Sequence, residues 1–272
     1  TRFAPSPTGY LHLGHAFSAF NAWKRARSVG GQFLLRLEDI DPGRCRPDYA
    51  AAIAEDLAWF GLDWDGPIRV QSEHLADYRG VLDRLADRGL VYPCFCTRAE
   101  IAREVTASAT APQGPDGAPL YPGTCRRLSA TERADRIAAG HAFALRLDMA
   151  AAWQPGLFFD EEGEGRIACH PERFGDVVLA RKDAPASYHL CVTHDDALQG
   201  VTLVTRGEDL KPATDLHRLL QALMGWKVPS YAHHRLLTDS TGRRLAKRDA
   251  AKTLRSLRAE GVSARAIVES FG

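Results

Sequence analysis

The N-terminal part of the chain alternates short apolar runs with amphipathic stretches. Residues 1–5 form a short apolar start that ends in a Pro/Ser/Thr/Gly run, which predicts a strand followed by a tight loop. From Leu13 to about Val29, apolar residues recur at helical spacing, and a Gly-Gly pair follows as a stop. A strand, a loop and a helix in this order are typical of the start of a nucleotide-binding fold.

The same alternation continues after this helix. Residues 32–40 alternate as a strand does and end in an acidic cluster. Two helices follow over 47–60 and 75–88, each with one apolar face and a glycine after its last turn. Strands that alternate with helices predict an α/β fold with a parallel sheet and right-handed crossovers.

The pattern changes after this region. Between 93 and 174 the chain carries cysteines, a Pro/Gly/Ala-rich stretch and β-like runs, which we interpret as an inserted subdomain. Regular α/β patterning then resumes, with a helix predicted over 213–224, a final strand over 234–237 and two short helical segments in the tail. The expected units are a core over 1–92 and 175–241, an insertion over 93–174, and a basic loop with a helical tail over 242–272.

Composition narrows the class of protein. The chain has 272 residues, with 45% hydrophobic and 25% charged residues, and no apolar stretch approaches the ~18 residues of a membrane span. The first five residues lack the pattern of a secretory signal, so we expect a cytoplasmic protein without a membrane partner. We also expect a monomer. The net charge of +1 excludes a general electrostatic attraction to nucleic acid, so any contact with RNA is local.

Basic residues are densest near the end of the chain. They offer either a surface for phosphate groups or an ordinary solvated helix face. The residues concerned are Arg243, Arg244, Lys247, Arg248, Lys252, Arg255, Arg258 and Arg265.

Two histidines, His12 and His15, stand at the start of the first predicted helix. The loop before them presents backbone N–H groups and the positive end of the helix dipole to an anion such as a nucleotide phosphate. Histidines three residues apart could donate hydrogen bonds to phosphate oxygens as charge shifts. Taken alone, two such histidines are more often surface or capping residues.

The combination of two motifs changes that reading. Residues 5–15, PSPTGYLHLGH, resemble the HIGH signature of class I aminoacyl-tRNA synthetases, and residues 244–248, RLAKR, resemble their KMSKS loop. The resemblance implies a Rossmann-type parallel sheet and activation of an amino acid with ATP and Mg²⁺. It implies that ATP is bound by His12, Gly14, His15 and Lys247, with both histidines and the lysine catalytic. Ala246 departs from the family pattern, because a serine is common there and its hydroxyl contact would be missing.

The segment RFAPSPTG over 2–9 is similar to that of the glutamyl members of this family. A substrate with two carboxylates and one ammonium needs two positive anchors and one negative anchor. The resemblance implies that Arg2 holds a carboxylate, that Glu38 holds the ammonium, and that Tyr188 and Arg206 complete the pocket. It also implies that glutamate contacts the segment Phe3, Ala4, Pro5 and Ser6. The alternatives are an ion pair of Glu38 near Arg36 and a salt bridge of Arg206 at the sheet edge.

Three cysteines, Cys94, Cys96 and Cys125, form a group in the predicted insertion. Three thiolates need a fourth ligand to complete a tetrahedral zinc site, and chemistry alone favours a histidine, His141 or His170. The resemblance points instead to Tyr121, because short glutamyl-synthetase-like proteins carry Cys-x-Cys and Tyr-x-x-x-Cys as zinc ligands. It implies one structural Zn²⁺ held by Cys94, Cys96, Tyr121 and Cys125. The alternative is a set of reduced thiols without a metal.

Glutamyl-tRNA synthetases carry an anticodon-binding domain after the KMSKS loop, whereas only a short tail follows it here. The chain therefore resembles the branch of the family that has no anticodon-binding domain. That resemblance implies a ligase that forms glutamyl-adenylate from L-glutamate and ATP without tRNA. The glutamate then passes to the queuosine base at the wobble position of tRNA(Asp). The alternatives are a truncated catalytic core that charges tRNA(Glu) and a non-catalytic tRNA-binding paralogue.

Overall fold

The computed structural model describes residues 1–107, 113–237 and 252–271. Within these ranges the chain forms three sheets with helices around them. The first sheet is parallel, with β1 and β3 on either side of β2. Its strands are β1 (Arg2–Phe3), β2 (Leu34–Leu37) and β3 (Arg69–Val70). The helices α1 (Leu13–Ser28) and α2 (Pro47–Trp59) connect them.

The second sheet lies beside the first. Its strands, in spatial order, are β7 (Gly165–Ala168), β6 (Phe158–Glu161), β10 (Ser230–His234) and β9 (Leu203–Gly207). Strands β9 and β6 run parallel to β10, β7 is antiparallel, and α8 (Ala213–Met224) connects β9 to β10. The Nη1 atom of Arg2 donates to the carbonyl oxygen of Thr205 at 3.1 Å, which places β1 next to β9.

The order of the strands reverses between β1 and β9. From β1 the chain adds β2 and β3 on one side, whereas from β9 it adds β10 on the other side. Open α/β sheets bind ligands outside the carboxyl ends of their strands at such a switch point. The fold therefore predicts a ligand site where β1 and β9 end.

The third sheet is antiparallel and belongs to the inserted region. It consists of β4 (Val91–Cys94), β5 (Ala144–Leu147) and β8 (Val178–Ala180). The helices around it are α3 (Leu75–Asp87), α4 (Arg98–Ala107), α5 (Ala130–Ala138), α6 (Met149–Ala152) and α7 (Tyr188–Leu198). The observed sheets do not follow the domain limits expected from the sequence. Strands β6 and β7 lie within 93–174 but belong to the sheet that contains β10, and β8 follows residue 175 but pairs with β5.

The tail forms two short helices, α9 (Leu254–Ala259) and α10 (Ala264–Glu269), as the sequence predicts. The ring of Phe271 contacts Phe17 of α1 with centroids 5.2 Å apart, and the backbone N–H of Leu254 donates to the carbonyl of Leu11 at 2.8 Å. The tail is therefore packed on the first helix and on the loop before it. Among the described residues, no helix is both long and apolar enough to cross a membrane.

The final strand was predicted in the wrong place. The expected strand over 234–237 is observed as β10 at Ser230–His234. Only Tyr231 and Ala232 are buried apolar residues in β10, whereas His233 is held by polar contacts with Glu161. A strand fixed by buried hydrogen bonds carries little of the apolar alternation that identifies strands in a sequence.

A cluster of buried charges joins the first sheet to α7, and we call it the buried charge cluster. It contains three arginines and three carboxylates, namely Arg2, Arg36, Arg69, Glu38, Asp195 and Asp196. Arg36 is fully buried and donates to Asp196 at 2.8 Å and to Gln199 at 2.8 Å. Arg69 donates to Asp195 at 3.0 Å. Buried charges are tolerated when each is paired in this way.

Replacement of Arg36 with leucine should lower the free energy of unfolding by about 3–5 kcal/mol. The reason is that three carboxylates would then face only two arginines in the protein interior. Urea denaturation followed by circular dichroism measures the change. The matched control is Arg265→Ala, which removes an exposed pair with Glu269 and should leave the unfolding free energy nearly unchanged. Equal effects of the two substitutions would contradict this account of the cluster.

Candidate active site

A cavity of about 490 Å³ lies at the switch point between β1 and β9. Its wall contains every glutamate- and ATP-binding residue predicted from the sequence that falls within the described ranges. These are Arg2, Phe3, Ala4, Pro5, Ser6, His12, Gly14, His15, Glu38, Tyr188 and Arg206. Lys247 and Ala246 lie outside the described residues.

His12 and His15 cap the first turn of α1. The Nδ1 atom of His12 accepts from the backbone N–H of Gly14 at 3.1 Å, and Nδ1 of His15 accepts from the N–H of His12 at 3.3 Å. The two rings are stacked with their centroids 3.8 Å apart. Because Nδ1 is an acceptor in each ring, the neutral imidazoles carry their protons on Nε2. Both histidines can then donate from Nε2 to a ligand at this end of the helix.

Two glycines allow close packing in the wall of the cavity. A Cβ atom on Gly14 would lie 3.0 Å from Cε1 of His12, so the absence of a side chain lets the His12 ring fold back onto the helix. A Cβ atom on Gly207 would lie 2.5 Å from Oδ1 of Asp209 and 2.7 Å from Cδ2 of Leu236. A side chain at either position would displace its neighbours.

Glu38 supplies a buried carboxylate to the cavity. It follows β2 and is 7% exposed, and its Oε1 atom has no hydrogen-bond partner among the described residues. The nearby Nη2 atom of Arg36 lies 3.7 Å from Oε1, so the predicted proximity to Arg36 is also present. Burial raises the pKa of Glu38 to about 7, although Arg36 and Arg2 oppose this rise. A cationic group of a ligand at Oε1 would stabilise the ionised form.

Arg206 supplies an uncompensated positive charge. Its Nε donates to Nε2 of His233 at 3.1 Å, its Nη1 contacts Nδ1 of His217 at 3.0 Å, and its Nη2 donates to Oγ1 of Thr214 at 2.7 Å. No carboxylate in the described part of the chain forms an ion pair with Arg206. The alternative of a salt bridge at the sheet edge therefore does not hold there. Arg2, by contrast, forms a bidentate pair with Asp196 at 2.9 and 3.2 Å.

A second cavity of about 410 Å³ lies between the core and the inserted region. Residues of both cavities meet at one shared wall, formed by Ser6, Thr8, Glu38, Arg44 and Tyr188. The far side of the second cavity carries polar residues of the insertion and of the following loop, including Asp116, Tyr121, Arg146, Asp176 and Arg181. A reactive group bound in the first cavity near Glu38 would therefore face the second cavity.

The sulfur atoms of Cys94, Cys96 and Cys125 lie within 4.8 Å of one another. A tetrahedral zinc ion with Zn–S bonds of about 2.3 Å separates its sulfur ligands by about 3.8 Å, so this spacing fits a metal. The Sγ of Cys96 lies 3.4 Å from the Sγ of Cys125 and 3.4 Å from the phenol oxygen of Tyr121. In the described ranges no histidine belongs to this group, and His170 contacts Glu172 instead. The four predicted residues could thus hold one metal ion.

The basic residues of the tail contact protein groups where they are described. Arg255 pairs with Glu55 and lies over the ring of Tyr10, and Arg258 lies over the ring of Trp59. Lys252 and Arg265 likewise pair with acidic residues of the tail. These contacts agree with the alternative of an ordinary helix face.

Several residues of the site had no clear signal in the sequence. Asp196 fixes Arg2, and His217 and His233 hold Arg206, yet none of them belongs to a motif. Polar residues on the buried face of a helix could have indicated these residues, because Asp196 and His217 are both buried in their helices. Such residues are buried only when they have partners.

The family model for the catalytic domain of class I tRNA synthetases for E and Q matches residues 1–272. The chain belongs to this family. A protein of Rhodobacter capsulatus named glutamyl-Q tRNA(Asp) synthetase is 51% identical over 97% of this chain and 96% of its own length. A protein of the same name from Nitratidesulfovibrio vulgaris is 46% identical over 97% of this chain and 82% of its own length.

A solved structure supports the fold of this class I synthetase domain. The glutamate tRNA ligase of Elizabethkingia meningosepticum, in complex with its amino acid, superimposes with a TM-score of 0.76 at 29% identity. The match covers 91% of this chain and 51% of the ligase, so the chain spans about half the length of that protein. The predicted class I synthetase fold with parallel strands is confirmed, whereas the zinc-bearing character of the insertion stays a prediction.

Proposed function

We propose that this synthetase activates L-glutamate with ATP as glutamyl-adenylate without tRNA. It then transfers the glutamyl group to the queuosine base at the wobble position of tRNA(Asp). One observation carries the choice of amino acid: in one cavity, Arg206 has no described carboxylate partner and Oε1 of Glu38 accepts no hydrogen bond from a described residue. Glutamate has a side-chain carboxylate for the first and an ammonium for the second.

Each group of glutamate has a counterpart in the cavity. The ammonium binds Oε1 of Glu38, and Arg206 binds a carboxylate with Arg2 beside it. Tyr188 closes the wall behind the substrate, and burial keeps its phenol protonated by raising its pKa. The segment Phe3, Ala4, Pro5 and Ser6 lies along the substrate backbone.

In the first step, a carboxylate oxygen of glutamate attacks the α-phosphorus of ATP. A P–O bond forms, the bond from the α-phosphorus to the oxygen it shares with the β-phosphate breaks, and pyrophosphate leaves. The Mg²⁺ that accompanies ATP in this family would supply positive charge to the phosphates. The Nε2–H groups of His12 and His15 stabilise the charge on the phosphate oxygens at the positive end of α1. The resemblance of the sequence assigns Lys247 to the same phosphates, outside the described residues.

In the second step, a hydroxyl of the queuosine ring attacks the acyl carbon of the adenylate, and AMP leaves. The adenylate fills the first cavity, so the acceptor reaches the acyl carbon from the second cavity across the shared wall. The choice of acceptor rests on the 51% identity with the relative named for tRNA(Asp).

Charging with labelled glutamate tests the acceptor. We expect label on tRNA(Asp) that contains queuosine and none on the same tRNA prepared without queuosine. The protein should also exchange pyrophosphate into ATP with glutamate in the absence of any tRNA. Label that appears only on tRNA(Glu) would contradict the proposed acceptor, and no exchange without tRNA would contradict the proposed activation.

The affinity for glutamate should depend on pH through Glu38. Its pKa is about 7 in the free protein, and a lower pH protonates the carboxylate that binds the ammonium. The KM for glutamate should therefore rise about tenfold from pH 8 to pH 6, whereas the KM for ATP should change much less. Glu38→Gln should raise the KM at every pH and remove its pH dependence. A wild-type KM for glutamate that is constant over this range would contradict the role of Glu38.

We further propose that Cys94, Cys96, Tyr121 and Cys125 hold one structural Zn²⁺. Four protein ligands leave no open position for a reacting group, so the ion would stabilise the insertion and take no part in the chemistry. The spacing of the three sulfur atoms and the position of the Tyr121 oxygen support this set.

Elemental analysis of protein purified without added zinc tests the metal site. We expect about one zinc per chain, and a large loss of zinc in Cys96→Ser. Tyr121→Phe should release zinc to a chelator faster than the wild type does. Cys169→Ser, which changes a cysteine outside the group, should retain zinc as a control. Equal zinc contents in the two serine variants would contradict the site.

A further inference from the structure

Arg206 is held by imidazole rings instead of carboxylates. Its three observed hydrogen bonds go to His233, His217 and Thr214, all of which are neutral acceptors. Each ring makes a further contact on its other side, because His233 contacts Glu161 at 2.7 Å and His217 contacts His189 at 3.1 Å. These contacts therefore orient the guanidinium group of Arg206 without neutralising its charge.

We propose that His217 and His233 are positioning residues that fix Arg206 while leaving its charge available, and thereby favour glutamate over glutamine. This inference rests on the proposed function, since it concerns the amino acid bound at the same site.

The hydrogen-bond directions determine the tautomer of each ring. A guanidinium only donates, so Nε2 of His233 and Nδ1 of His217 must accept from Arg206. The proton of His233 is then on Nδ1, where it faces Oε2 of Glu161. The proton of His217 is on Nε2 and faces Nδ1 of His189. Each ring is thus held from both sides in the neutral form.

The surroundings keep both rings neutral. Burial and the positive charge of Arg206 lower the pKa of His233 to about 4, although the hydrogen bond and the charge of Glu161 oppose this lowering. Burial and Arg206 also lower the pKa of His217. A protonated imidazole could not accept from the guanidinium, so the low pKa values preserve the contacts over the physiological range.

The same cavity contains a contrasting case. Arg2 is neutralised by the two oxygens of Asp196, whereas Glu161 reaches Arg206 only through the ring of His233. Arg206 uses three of its five N–H groups, which leaves one on each terminal nitrogen without an acceptor in the described part of the chain.

The two remaining N–H groups of Arg206 match the two oxygens of a carboxylate. The side-chain amide of glutamine offers one oxygen, and its NH₂ group would meet a second donor. A carboxylate also gains from the uncompensated charge of the arginine, whereas an amide does not. Both effects favour glutamate.

A pair of substitutions at one position separates charge from shape. His217→Asn and His217→Asp place an oxygen acceptor near Arg206 and differ in their charge. The asparagine variant should keep the KM for glutamate within a few-fold of the wild type, because it still orients the guanidinium. The aspartate variant should raise that KM on the order of 10- to 100-fold, since it neutralises the charge that the substrate needs. Its ratio of glutamate to glutamine activation should fall with it.

The measurement is ATP–pyrophosphate exchange with glutamate and with glutamine, with the KM for ATP and the melting temperature as checks on folding. The control is His141→Asp, which changes an exposed histidine that lines neither cavity and should leave all values unchanged. If the wild type activates glutamate but the two His217 variants behave alike, the inference is wrong. If the wild type does not activate glutamate, the proposed function is wrong instead.

Discussion

The ion pairs of the fully buried Arg36 are the interaction on which the rest of the site depends. They connect β2 to the carboxylate of Asp196 on α7, and Asp196 in turn fixes Arg2 of β1. A charge buried to this degree requires partners at defined positions, so the strands and the helix cannot shift independently. The same cluster places Glu38 close to two arginines, yet burial is strong enough to raise the pKa of Glu38 to about 7. The stability of the core and the chemistry of the pocket are therefore coupled through the same residues.

The charges of the cavity divide into compensated and uncompensated groups. Arg2 and Arg36 are neutralised by carboxylates, and they act mainly through the geometry that they impose. Arg206 forms no ion pair with a described carboxylate, and Oε1 of Glu38 accepts no hydrogen bond from a described residue although Arg36 lies 3.7 Å away. A zwitterion with an additional carboxylate, such as glutamate, can bind to both groups. The partners that these two groups lack among the described residues therefore indicate the ligand better than the presence of charged residues alone does.

The sequence predicted the parts of the fold that depend on local signals. Helices α1 and α8 were predicted within one or two residues of their observed bounds, because apolar spacing and terminal glycines define them. Strand β10 was misplaced because buried hydrogen bonds of His233 take the place of apolar side chains there. The predicted glutamate- and ATP-binding residues within the described ranges came from motif resemblance and line one cavity, whereas the predicted zinc ligands lie elsewhere. The roles of Asp196 and His217 depend on contacts between distant segments, and periodicity contains no information about such contacts.

Contacts between described residues hold the charged groups of the amino-acid site in place. Arg206 is oriented by His217 and His233, and Glu38 is positioned within the buried charge cluster. A pocket that already has its charges in place does not need an acceptor to organise it for adenylate formation. The second cavity is bounded by described residues of both the core and the insertion, and five of the described residues form the wall that it shares with the first. In the proposed reaction, one cavity would hold the amino acid and the other would admit the acceptor hydroxyl, so that activation and transfer would use separate parts of the site.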